Sequence, residues 1–221
     1  MIISKNKKLT TVLILHTIFF FLIWTVCETW LKSQLFVCQE EWFREIVLKT
    51  IVWTIPALLL IRTFSGSLAI DIKEMLTKHV NWASYTPLFA LFSVYLIVSA
   101  FVVSGVLGVS PQFSLLTVFI VLSIGVAEEL VFRGWLLNAT LRLFGYKRKW
   151  FAILLNAFMF LCIHFPLWLY TGTFYETFAN FGFVIVLALS IIFSLVFIKS
   201  RSIWPPVMLH AYWNLLMIVF L

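Results

Sequence analysis

Glu128, Glu129 and Arg133 lie in the run Ala127-Glu-Glu-Leu-Val-Phe-Arg-Gly134, inside the long apolar stretch 113–143. A charge at the centre of a membrane helix costs about 2.5–3.5 kcal/mol on insertion scales, so three in one stretch require a use. Glu129 and Arg133 are four apart and share a helix face, with the acid toward the N-terminus, the favourable order for an ion pair. Glu128 is about 100° further round the helix and lacks that partner. A structural ion pair needs one acid; two adjacent acids are more than it needs.

Other polar groups in the apolar stretches are few. His164 sits in Phe160-Leu-Cys-Ile-His-Phe-Pro166, and His210 and Asn214 in His210-Ala-Tyr-Trp-Asn214. The last two are one helical turn apart and face the same way. A lone histidine in a membrane is ordinarily a packing or helix-joining residue; His16 is given no role, and His79 is read as a surface residue. Taken together the set has a chemistry. A carboxylate with a histidine beside it is a general base for water. A second histidine and an amide are donors suited to an oxyanion. No GxSxG signature supports a serine nucleophile. Two histidines and a glutamate are also a legitimate zinc set, so a metalloprotease stays open as an alternative. Against it, HExxH is absent and no ligand pair shares a helix.

The elements that must position these groups are set by composition. Of 221 residues, 63% are hydrophobic and 11% charged, with 24 Phe and 10 Trp. Soluble domains are nearer half apolar and a quarter charged, so soluble, disordered, collagen-like and coiled-coil classes are excluded. The expected fold is all-α: a polytopic transmembrane bundle of about seven spans plus an interfacial helix, forming a single integral-membrane domain over 1–221. Its motifs fall within 125–221, and 1–110 supplies N-terminal helices. The spans are Leu9 to Val26, Ile46 to Ile61, Pro87 to Leu107, Phe113 to about Leu143, Trp150 to about Tyr170, Thr177 to Ile198, and Ile203 to Leu221. The mixed stretch Ser67 to Trp82 suits a helix lying on the membrane surface. Pro166 should end or kink its helix just past His164. Trp24, Trp30, Trp42, Trp53, Trp82, Trp150 and Trp204 fall near span ends and read as an interfacial belt. Cys27, Cys38 and Cys162 form no CxxC pair; Cys27 and Cys38 fall near one face, where a disulfide can form. No cofactor and no metal is expected.

The net charge of +7 sits in short loops, which reads as topology rather than nucleic-acid binding. With the N-terminus in the cytoplasm, twelve Lys and Arg fall inside, and Lys32, Arg44 and Lys49 outside. This predicts a multi-pass plasma-membrane protein. Glu128 lies 18 residues before Tyr146 and His164 18 after it, so equal arms of a helical hairpin bring both to one level. That level is about 22 Å below the tip. His210, four residues past Pro206, is only about 6 Å into its helix. The levels agree if the tip, with Asn138, Thr140, Arg142 and Lys147–Lys149, protrudes by about 10 Å or more. The site then falls in the cytoplasmic half.

At these residues the sequence resembles the CAAX protease and bacteriocin-processing family, also called CPBP or Abi. Its motifs Glu-Glu-x-x-x-Arg, Phe-x-x-x-His and His-x-x-x-Asn match Glu128, Glu129 and Arg133, then Phe160 and His164, then His210 and Asn214, in order and in separate apolar stretches. The resemblance covers about 125–221. It implies an intramembrane endopeptidase of the glutamate type. Glu128 and His164 would activate water, His210 and Asn214 would stabilise the oxyanion, and Glu129 and Arg133 would order the site. Eukaryotic and archaeal relatives trim prenylated CAAX proteins; bacterial relatives are linked to bacteriocin maturation, self-immunity and peptide-signal processing. The expected partners are a membrane-associated peptide or protein substrate and the lipid bilayer, with no nucleic acid. A non-catalytic immunity factor or scaffold is the other class that fits.

Overall fold

Hydrocarbon offers no water to backbone N–H and C=O groups, so long apolar runs close their hydrogen bonds internally as helices. The computed structural model describes residues 2–105, 108–111 and 113–221, with side chains from residue 6 onward. Most of the described residues are helical, and none is in a strand. In chain order the helices are α1 (Asn6–Gln34), α2 (Phe43–Ser67), α3 (Ile72–Thr77), α4 (Trp82–Ser104), α5 (Leu115–Phe144), α6 (Tyr146–Thr171), α7 (Phe174–Ala179), α8 (Gly182–Ser200) and α9 (Trp204–Phe220). Six of them (α1, α2, α4, α5, α6 and α8) are long and apolar enough to cross a bilayer. The seventh expected span is α9, whose 17 residues are at the short limit of spanning length. The expected end of the third span, Leu107, lies outside the described residues.

Two boundaries differ from expectation for local reasons. The sixth span begins at Gly182 rather than Thr177, because Phe181 adopts a left-handed backbone (φ 60) and Asn180 Oδ1 accepts from the Gly182 N–H at 3.0 Å. The surface helix shrinks to α3. Asp71 caps it by accepting from the Glu74 N–H at 3.0 Å, and Met75 is fully buried against the bundle.

The α5–α6 hairpin is the centre of the fold. Phe132 of α5 packs edge-to-face on Phe160 of α6 (4.9 Å) and near Phe20 and Trp53. Trp24 and Trp53 meet at 4.8 Å and are 4% and 1% exposed, so these two leave the interfacial belt for the core. Asn138 and Thr140 are buried rather than displayed on a polar tip. Asn138 clamps the Ile70 backbone, donating to its carbonyl and accepting from its N–H, both at 2.8 Å. Cys27, Cys38 and Cys162 are free thiols.

Both α2 and α5 contain π-helical turns, at 43–48 and 50–54 in α2 and 130–137 in α5. Such turns insert a residue and re-aim the side chains beside them, most often at functional sites. Here they flank Lys49 and follow Glu129.

Helix α5 touches α9 through Gly125. A Cβ there would lie 2.9 Å from the Val207 carbonyl oxygen and 3.4 Å from Ala211 Cβ, one residue from His210. Small residues let membrane helices approach to backbone contact. Gly125→Ala is expected to cost about 1–3 kcal/mol by overpacking. Thermal unfolding in nanodiscs checks this against Gly66→Ala, which meets nothing within 4 Å and should unfold like the wild type.

The bundle has two unlike ends. At one end the hairpin tip, α3 and the α8–α9 turn are laced together. Arg201 forks onto both Glu74 oxygens (2.5 and 2.6 Å) and donates to the Tyr146 hydroxyl (3.2 Å), while Trp204 Nε1 donates to the Leu76 carbonyl (2.9 Å). The Arg201 hydrogen bonds hold the Glu74 carboxyl down at about 2. Asn6 and Thr10 of α1 share a groove with Thr140 and Phe144, so the N-terminus belongs to this end. At the other end Lys32 sits over the Tyr170 ring, and Ser123 Oγ donates to the Glu45 carbonyl.

Candidate active site

Each predicted side chain is placed by local structure. Glu129 is fully buried, and its Oε1 accepts from Arg133 Nη1 and from His210 Nδ1, each at 2.8 Å. Arg133 Nη2 donates to the Ser190 carbonyl (3.0 Å) and hydroxyl (2.7 Å) on α8. The guanidinium lies over the rings of Phe160 (4.7 Å) and Phe193 (5.5 Å). One buried ion pair therefore joins α5, α8 and α9, and it sets the orientation of His210.

The Phe-x-x-x-His spacing has a plain backbone reason. His164 Nδ1 lies 2.7 Å from the Phe160 carbonyl oxygen. A carbonyl only accepts, so Nδ1 carries the proton, and the neutral ring keeps its lone pair on Nε2. Pro166 has no N–H for the Cys162 carbonyl, and α6 breaks at Ile163 and His164 before resuming at Phe165, as expected. The broken turn leaves His164 half-buried beside a polar cavity.

That cavity holds about 280 Å³ and is lined by Glu128, His164, His210 and Asn214 together with Trp24, Trp53, Glu28, Glu41, Arg44, Glu45 and Lys49. The hairpin's equal arms thus do bring Glu128 and His164 to one site, and α9 meets them there. Glu128 Oε2 stands 3.7 Å from His210 Nε2. The Asn214 amide has no hydrogen-bond partner among the described residues. Glu129, Arg133 and Phe160 lie behind this wall. A larger groove of about 570 Å³ between α1 and the hairpin has no titratable side chain in its lining, so the chemistry is not there. Among the described residues no group of three His, Cys, Asp or Glu side chains is arranged to hold a metal ion.

Two features escaped sequence reasoning. Lys49 Nζ lies 2.7 Å from Glu128 Oε1 and 2.6 Å from Glu45 Oε2, so Glu128 has a partner after all. Lys49 had been counted as a loop charge, yet it stands inside an apolar run four residues after Glu45, a visible sign of a buried pair. Ser190, which holds Arg133, carried no such sign.

The second feature is the end at which the cavity lies. Its rim residues Glu28, Glu41 and Arg44 come from the α1–α2 region, which the charge count puts outside. His164 is seven residues from the far end of α6 and 18 from the hairpin tip, and Lys49 is six from the start of α2 and 18 from its end. His210, six residues into α9, is the exception. These counts set most of the cavity's residues toward the end of the bundle opposite the hairpin tip. Depth measured from the hairpin tip alone does not register where the α1–α2 turn packs.

No curated protein and no solved structure matches the chain. Residues 110–216 match the family described as Type II CAAX prenyl endopeptidase Rce1-like, a stretch that holds all seven motif residues and agrees with the CAAX protease and bacteriocin-processing family they resemble.

Proposed function

We propose that this protein is an intramembrane endopeptidase in which Glu128 and His164 activate water against a peptide bond of a membrane-associated substrate. The observation that carries the reading is the convergence of Glu128, His164, His210 and Asn214, from three separate helices, on one polar cavity inside an apolar bundle. Water held between Glu128 Oε2 and His164 Nε2 gives its proton to the imidazole as its oxygen bonds to the carbonyl carbon. Negative charge then develops on the carbonyl oxygen, within reach of the Asn214 amide. His210 donates Nδ1–H to Glu129, so its Nε2 donates to the oxyanion only as imidazolium, whose charge Glu128 and Glu129 face. As the tetrahedral adduct collapses, the C–N bond breaks and His164 returns the proton to the leaving amine, yielding a carboxylic acid and an amine, which settle by proton exchange as carboxylate and ammonium.

The count of Lys and Arg supports a cytoplasmic N-terminus, and with it a cavity that opens toward the outer face of the plasma membrane. A cysteine introduced by Glu41→Cys, at an exposed rim position, should react with a membrane-impermeant maleimide in intact cells. One introduced by Tyr146→Cys should react only after lysis. The reverse pattern would place the cavity mouth in the cytoplasm.

The function is tested by mass spectrometry of membrane and secreted peptides from cells carrying wild-type protein or Glu128→Ala. A new peptide terminus that depends on Glu128 is expected. Identical peptide pools, with a cellular phenotype kept by Glu128→Ala, would instead identify a non-catalytic immunity or scaffold protein.

A further inference from the structure

We propose that Lys49, from the half of the chain outside the matched stretch, is a positioning residue for Glu128; this rests on the hydrolytic reading above. A lysine near the end of a membrane helix normally extends its ammonium toward water along an apolar stem. Lys49 does the opposite. It is 5% exposed, and its ammonium is enclosed by Glu128 (2.7 Å), Glu45 (2.6 Å) and the ring faces of Trp53 (4.9 Å) and Trp24 (5.7 Å).

The enclosure is itself anchored. Glu45 Oε1 accepts from Arg44 Nε at 3.0 Å, and Arg44 Nε reaches Glu28 Oε1 at 3.7 Å. Lys32 lies 3.6 Å from the other Glu28 oxygen. The ammonium is thus held from the α1 side and the α2 side before it meets α5.

Two consequences follow for Glu128. Its oxygens become unequal: Oε1 is taken by the ammonium, while Oε2 is turned toward His210 and the cavity. The carboxylate is fixed in one rotation, so the water it binds has one place to sit. Its charge is also matched by a cation in surroundings where an unmatched carboxylate would be costly. In this role Lys49 acts through Glu128, by holding its carboxylate, and not on the peptide bond itself. Helix α2 is therefore part of the site, and residues 110–216 alone do not complete it.

The test uses the full chain in nanodiscs and a synthetic peptide spanning the Glu128-dependent terminus. Lys49→Met should lower kcat at least tenfold and leave KM within about twofold, the pattern of a group that serves the reacting carboxylate and not substrate binding. In thermal unfolding, Lys49→Met should cost more in the wild-type background than in the Glu128→Gln background, since the two side chains are coupled. If Lys49→Met does not fold, Glu45→Gln, which frees the ammonium on its other side, should give the same kcat-only loss of at least threefold. An unchanged kcat in these variants, with Glu128→Gln inactive, overturns the role of Lys49 alone. Additive unfolding costs do the same. Full cleavage by Glu128→Gln overturns the hydrolytic reading, and the role of Lys49 with it.

Discussion

Arg133→Met is expected to cost about 3–5 kcal/mol of stability, the usual penalty for removing one partner of a buried ion pair. Arg133 and Glu129 are both fully buried. Without the guanidinium, Glu129 keeps His210 alone as a donor, and the Ser190 carbonyl and hydroxyl on α8 lose theirs. The two rings packed on the guanidinium, Phe160 and Phe193, lose that contact as well. The variant should unfold well below the wild type in nanodiscs, and the double variant Arg133→Met/Glu129→Gln should recover part of the loss. If Arg133→Met unfolds like the wild type, the pair does not hold α5, α8 and α9 together.

His164→Ala should behave in the opposite way. Its hydrogen bond is made within its own helix, and the ring packs on its near neighbours Phe160 and Trp168 at the cavity wall. Its removal leaves the helix contacts standing, so the unfolding temperature should change little. The rate should fall by about 10²- to 10⁴-fold, the usual contribution of a positioned general base. Equal unfolding and unequal kcat is the signature to look for. A folded His164→Ala protein with wild-type kcat would assign proton transfer to another group.

The contrast between these variants reflects what could be read in the sequence. Intramembrane charge is expensive, so Glu128, Glu129 and Arg133 stood out by residue type, and a spacing of four predicted the Glu129–Arg133 pair that is present at 2.8 Å. The same spacing places the Phe160 carbonyl against His164. Such contacts within one helix are fixed by helical geometry and were therefore legible.

Contacts across the bundle were not. Lys49 and Glu128 are 79 residues apart: the spacing of four marks Glu45 as a local partner of Lys49, but nothing local points to Glu128. Trp24 and Trp53 belong to a residue type favoured at interfaces, yet they pack on each other beside Lys49. Which end of the bundle holds the cavity depends on how the α1–α2 turn packs against α5 and α6. Hydropathy and charge counts do not specify that packing.

The claim that Glu128 drives hydrolysis is tested most directly with purified protein reconstituted in liposomes and the peptide identified in cells. Glu128→Gln keeps the size of the side chain while removing its charge and basicity. Wild-type protein should cleave the peptide, and folded Glu128→Gln should be slower by about 10³-fold or more, a loss of about 4 kcal/mol in transition-state stabilisation. Cleavage by Glu128→Gln at the wild-type rate would contradict the account.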